Sequence, residues 1–139
     1  MRISWHEYFM GIATLVSERA TCDRLHVGAV IVKDRNIIAT GYNGSVGGTS
    51  HCCDKGCDVV DNHCVRTIHA ETNAILQCAK NAVSPVGATI YVTHFPCYNC
   101  AKHIAQVGIA KVVYLNGYNN DSRTTKLFAG LGIECIKLD

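Results

Sequence analysis

The sequence predicts an α/β domain: a mixed five-stranded sheet flanked by helices, with elements in the order αββαβαβαβ. Three observations predict it. Two strand-like runs near the start are separated by a short polar turn, which is a hairpin signal. Downstream, β-branched and aromatic runs alternate with helical segments, as in parallel βαβ units. The chain has 139 residues and 48% apolar content, enough for one packed core.

The elements follow in order. Trp5, Phe9, Ile12, Ala13, Leu15 and Val16 recur at near-helical spacing and predict a helix over 5–20. Strands are expected at 27–32 and 36–41, joined by the turn Lys33-Asp34-Arg35-Asn36. Residues 43–66 are rich in Gly, Cys, Asp and His and show no period; a loop this long needs something to order it. A helix over 70–80, a strand over 88–93, a helix over 97–106 behind Pro96, and a strand over 111–115 come next. A helix over 122–130 and a strand over 133–138 complete the chain. Helices separate the last three strands, so these should run parallel to one another. Residues 1–139 are read as a single domain with a Cys/His-rich insert at about 43–66.

Composition excludes several function classes. The formal charge is +2 and 17% of residues are charged, so no strong field awaits a long polyanion, and nucleic acid is not an expected partner. No run reaches the ~18 apolar residues of a membrane span. The opening Met1-Arg2-Ile3-Ser4-Trp5-His6-Glu7 is too polar for a signal peptide. The expected location is the cytoplasm, or the host cytoplasm for a phage-encoded chain. Nine cysteines and seven histidines are the outlier. In a reducing compartment such a count argues for metal rather than disulfides.

Two short motifs carry the chemistry: His69-Ala70-Glu71 and Pro96-Cys97-Tyr98-Asn99-Cys100. Cys97 and Cys100, three residues apart, lie about 60° apart around a helix and share a face. A helix start favours thiolates there. His69 and Glu71, two apart, would point about 200° apart on a regular helix, so they can meet only at its entrance. The helix is therefore expected to begin within that motif. His69, Cys97 and Cys100 leave the fourth position of a tetrahedral Zn²⁺ site for water, the pattern of a catalytic rather than a closed structural site. Two thiolates neutralise the ion and weaken its effect on water, so a base must help. Glu71 is that base and the later proton donor to a leaving amine. Each motif alone is weak, but His-x-Glu followed by Pro-Cys-x-x-Cys is the signature of zinc deaminases.

With these motifs on helices flanking a strand, the chain resembles the cytidine and deoxycytidylate deaminase family over nearly its whole length. The segments that carry the resemblance are Val27-Gly28-Ala29-Val30, Gly41-Tyr42-Asn43-Gly44-Ser45, the run from Arg66-Thr67-Ile68 through His69-Ala70-Glu71 to Thr72-Asn73-Ala74-Ile75, and Tyr91-Val92-Thr93 before Pro96. The run His51-Cys52, Gly56-Cys57, His63-Cys64 is similar to the bacterial and phage deoxycytidylate branch. The resemblance implies the cytidine deaminase-like three-layer fold and hydrolysis of dCMP to dUMP and ammonia, which supplies dTMP synthesis. It implies that Asn43 contacts the sugar, although Asn43-Gly44 is also a strong turn pair. It places the backbone of Ala70 on the pyrimidine, and Arg24 and Tyr118 on phosphate and sugar. It further implies a homo-hexamer activated by dCTP and inhibited by dTTP, with effectors near Gly41, Tyr42, Asn43 and Gly44. Mg²⁺ would accompany a triphosphate effector.

The resemblance also implies a second, structural zinc held by Cys22 and Cys52. Two of Cys57, His63 and Cys64 would complete it, ordering the insert and contributing folding energy. Cys53, Cys78 and Cys135 are read as non-ligands, and His103 as a helix-surface residue. Two rival readings stand beside this one. The first is a deaminase of another substrate, such as free cytidine or deoxycytidine, or adenosine in tRNA. The second is a zinc-stabilised interaction module with no activity, against which the carboxylate of Glu71 argues.

Overall fold

The computed structural model describes residues 1–22, 25–60, 63–117 and 120–139, with the backbone alone for 63 and 64. The elements in chain order are α1 (Trp5–Ser17), β1 (Gly28–Lys33), β2 (Asn36–Tyr42), β3 (Gly44–Ser45), α2 (Cys52–Lys55), β4 (Val59–Val60), β5 (His63–Cys64), β6 (Thr67–Ile68), α3 (Ala70–Lys80), β7 (Thr89–His94), α4 (Tyr98–Gln106), β8 (Lys111–Asn116), α5 (Ser122–Leu131) and β9 (Glu134–Lys137). The main sheet has five strands in the order β2-β1-β7-β8-β9. β1 is antiparallel to both β2 and β7. β7, β8 and β9 are mutually parallel, as the helical connections require.

The helices divide between the two faces. α1 covers one face, where Phe9, Met10 and Ala13 pack on Val30, Val32, Tyr91 and Val113. On the other face Ala70, Ala74, Cys78, Ala101, Ile104 and Phe128, from α3, α4 and α5, pack on Ala29, Ile31, Ile90, Val92 and Val112. The strand residues alternate between these two clusters because a strand turns successive side chains to opposite faces.

α1 is shorter than its periodicity predicts, ending at Ser17. Its start is fixed by a capping box: the Ser4 hydroxyl accepts from the Glu7 N–H, while the Ser4 N–H donates to the Glu7 carboxylate. Of its apolar residues Phe9, Met10 and Ala13 are buried, while Trp5 and Leu15 stay exposed. The helix lies close against β1. A Cβ on Gly28 would overlap the Ala13 carbonyl oxygen and sit 2.6 Å from the Ser17 nitrogen. Only glycine permits that approach.

The insert holds more structure than its sequence suggests. β3 pairs with β6, which brings Gly44 opposite Ile68 and closes the insert at its base. β4 and β5 form a second small hairpin. Thr21 ties the insert to the chain before β1: its hydroxyl accepts from the Ser45 N–H at 3.3 Å and its carbonyl from the Cys53 N–H at 3.1 Å.

Candidate metal centre and active site

The site is assembled from two helix N-termini. His69 caps α3 with extended backbone (φ −65°, ψ 151°), and Ala70 is the first helical residue. This resolves the spacing problem of His-x-Glu. Because His69 lies outside the regular helix, its ring and the Glu71 carboxyl reach the same side. Cys97 caps α4 in the same way (φ −68°, ψ 164°), one residue later than the sequence predicts a helical start. Cys100 then follows in the first turn, on the face shared with Cys97.

The strands aim these caps. The Phe95 N–H donates to the Asn116 carbonyl at 3.0 Å, and the Asn116 amide donates to the Thr93 carbonyl at 3.0 Å. The fully buried Thr124 of α5 donates to the Pro96 carbonyl at 3.3 Å. The peptide before Cys97 is therefore held from β8 and α5 together. On α3, the Asn73 amide donates to the Tyr42 carbonyl at 2.8 Å, and the Gln77 carbonyl oxygen accepts from the Thr40 N–H at 2.7 Å. Both bonds fasten α3 to the edge strand β2, satisfying backbone groups that an edge leaves unpaired.

The His69 Nδ1 lies 3.5 Å from the Cys97 sulfur and 3.3 Å from the Cys100 sulfur. Ligands at zinc bond lengths of about 2.0–2.3 Å occupy tetrahedral corners roughly 3.5 Å apart, so these three atoms fit three corners. Among the described residues they form one of two groups whose donor atoms all lie within 4.8 Å of one another. Hydrogen bonds from the Cys100 thiol and the His69 ring pull the Cys97 thiol down to about 4. Its hydrogen bond with Cys97 raises His69. Cys100 is raised in turn, because its own proton is donated to Cys97 and its thiol is buried.

Glu71 is 5% exposed, an unusual burial for a carboxylate. Burial pushes it up to about 7, against a hydrogen bond with its own backbone N–H that lowers it. A carboxyl beside two thiols and an imidazole, with a proton affinity near neutrality, can take a proton and return it.

The other site residues fall in three groups. Asn43 is buried, and its amide is engaged locally: Oδ1 accepts from the Val27 N–H at 2.8 Å and Nδ2 donates to the Leu25 carbonyl at 2.6 Å. The turn role and the amide's double capacity thus both operate on backbone, leaving one N–H and one lone pair. Gly41 and Ala70 touch through backbone, at the junction of β2 and α3. Gly41, Tyr42, Asn43 and Gly44 run along the end of β2 into β3. Arg24 and Tyr118 lie outside the described residues, as do the side chains of His63 and Cys64.

The second donor group is Cys22, Cys52 and Cys57. Cys22 and Cys52 are buried, and the Cys22 and Cys57 sulfurs are 3.6 Å apart. Cys53 is exposed, Cys78 lies buried in the core and Cys135 is on β9. His103 is exposed on α4, as read, yet it is not an isolated surface residue: its Nδ1 is 3.0 Å from the Thr72 hydroxyl. The i,i+3 spacing of Cys100 and His103 is the signal that could have linked it to the site.

A model of the cytidine and deoxycytidylate deaminase zinc-binding region matches residues 3–116. The chain belongs to the cytidine and deoxycytidylate deaminase family. This member is 53% identical to ComE operon protein 2 of Bacillus subtilis, over 99% of its own length and 74% of the relative's. It is 39% identical to the deoxycytidylate deaminase of Saccharomyces cerevisiae, over 96% of its own length but 44% of the yeast protein's. Its fold superposes on the dCMP deaminase of cyanophage S-TIM5 in complex with dCMP and dUMP, with a TM-score of 0.87, 36% identity and 99% coverage of both chains. The expected fold is thus that of a deaminase. Among the described residues no helix is long and apolar enough to cross a membrane.

Proposed function

We propose that this chain is a zinc-dependent deaminase that converts dCMP to dUMP and ammonia, as a single domain over 1–139. The observation that carries the reading is the His69, Cys97 and Cys100 trio with a buried Glu71 beside it. The preference for dCMP is supported by the likeness to the cyanophage enzyme over nearly all of both chains.

His69, Cys97 and Cys100 would hold the zinc through Nδ1 and two sulfurs. When bound, the ion acts as a Lewis acid that lowers the pKa of water. The chain's own groups do the rest. Glu71 takes a proton from the attacking water and hands it to the ring nitrogen beside C4, then takes the remaining hydroxyl proton and gives it to the departing amine. Its burial keeps bulk water from levelling these transfers. Ala70 offers its backbone to the pyrimidine, and Asn43 offers its remaining N–H and lone pair to the sugar. Arg24 and Tyr118 are the proposed phosphate and sugar contacts.

The assay that tests substrate class compares dCMP, CMP, deoxycytidine and adenosine by ultraviolet loss of the amine. Turnover of dCMP should exceed that of deoxycytidine by about tenfold or more, since a charge-assisted phosphate contact contributes roughly 1.5–3 kcal/mol. Equal turnover of the two would remove phosphate recognition from the proposal.

Cys22, Cys52 and Cys57 belong to the same reading as ligands of a second, structural zinc, with His63 or Cys64 as the fourth donor. Three sulfurs, one from the chain before β1 and two from an insert with little apolar content, suit a closed site that ties the two segments together. Metal analysis should give two zinc ions per chain. Cys52→Ala should retain one, keep measurable dCMP turnover and lower the Tm. One ion in the unsubstituted protein would reject the second site. Regulation by dCTP and dTTP, with Mg²⁺ accompanying the triphosphate, and a hexameric assembly rest on the family resemblance. Gel filtration with and without dCTP, alongside dCMP rates, tests both.

A further inference from the structure

The Thr72 hydroxyl lies 3.6 Å from the Cys100 sulfur and 3.0 Å from Nδ1 of His103. Thr72 is in the first turn of α3, whereas Cys100 and His103 are successive residues on one face of α4. The contact therefore bridges the two helix ends that build the metal trio. A hydroxyl has one proton to give and two lone pairs. A metal-bound cysteine is a thiolate, which can only accept. The Thr72 proton must then point at Cys100, and His103 must donate its Nδ1 proton to the Thr72 oxygen. The direction of the whole chain, imidazole to hydroxyl to sulfur, is fixed by the acceptor at its end.

We propose that Thr72 and His103 form a positioning relay that donates a hydrogen bond to the Cys100 thiolate and thereby tunes the zinc site. This rests on the zinc reading above. A hydrogen bond drawn to a thiolate withdraws charge from the sulfur, so the sulfur donates less to the ion. With two thiolates already neutralising the ion, that withdrawal preserves part of the ion's ability to acidify water. The bond also fixes the side-chain rotamer of Cys100, as partners of ligands commonly do. His103 acts one step further out, holding the Thr72 rotor so that its proton faces the sulfur. Its exposure explains why it can be replaced without disturbing the core.

The test uses the full-length Cys52→Ala protein, which keeps only the active-site ion, loaded with Co²⁺, so that its sulfur-to-metal charge-transfer absorption reports thiolate donation at that site. Thr72→Val keeps the shape and removes the hydroxyl. It should move that band to longer wavelength and lower kcat for dCMP by about 10- to 100-fold with little change in KM. Thr72→Ser should restore both. His103→Phe should move the band the same way by less, and should add nothing in the Thr72→Val background. An unmoved band in Thr72→Val, or no recovery in Thr72→Ser, overturns the relay. Should Thr72→Val fail to fold, the exposed His103→Phe decides alone: an unmoved band overturns the proposal. Absence of any charge-transfer band in the parent Cys52→Ala protein would instead reject the active-site zinc reading itself, so the two failures are distinguishable.

Discussion

Glu71→Gln should reduce dCMP turnover by about 10²- to 10⁴-fold, the range that positioned acid–base groups contribute, while zinc content per chain stays the same. The argument is one of shape against chemistry. Glutamine has nearly the volume of glutamate and its carbonyl oxygen can still accept from the residue's own backbone N–H. It cannot take a proton from water or return one to an amine. The metal trio does not include Glu71, so its donor atoms remain in place. Burial of a neutral amide in place of a group that burial penalises as an anion should leave the Tm equal or higher. Metal analysis, a melting curve and the ultraviolet assay on one preparation check all three. Retained turnover would remove Glu71 from its role. Lost turnover with lost zinc would mean that the carboxyl holds the site together rather than moving protons.

Gly41→Ala should destabilise the protein by about 3 kcal/mol or more, beyond the usual cost of overpacking, and should also strip activity. An added Cβ would overlap the Ala70 carbonyl oxygen and lie 2.5 Å from the Ala74 nitrogen. Both are backbone atoms of α3, so no flexible side chain can yield. α3 must lift from β2, breaking the Asn73–Tyr42 and Gln77–Thr40 hydrogen bonds. It would carry His69 and Glu71 with it, away from Cys97 and Cys100 on α4. One methyl group is thus expected to act on metal retention as well as on stability. Gly47→Ala is the control, since its Cβ would meet nothing within 4 Å. Thermal melts should separate the two variants by about 10 °C. Equal melting temperatures would show that the contact between β2 and α3 is softer than the geometry requires.

The contrast between these two variants marks how much could be read from sequence. The grouping of His69, Cys97 and Cys100 was legible because its information is local. Cys97 and Cys100 sit one turn apart, and His69 with Glu71 can converge only at a helix start, where the structure places them. The hairpin and the three parallel strands were legible for the same reason: their patterns lie within short windows. The exposure of Leu15 on α1 has a local cause too. Near-helical spacing alone does not say which residues of a wide stripe meet the sheet, and Met10 took that place.

The sequence by itself determined the donor set: one imidazole, two thiols and a carboxyl, at spacings that helix geometry brings together. Only the tertiary structure decided which distant groups meet. It brought Cys22 to Cys52 and Cys57 and turned the Asn43 amide onto the backbone of Leu25 and Val27. It also set Thr72 between Cys100 and His103. Residues on different elements meet only after the sheet and its helices have packed. No periodicity in the chain encodes a contact whose partners are separated by tens of residues, and burial against a particular neighbour fixes it instead.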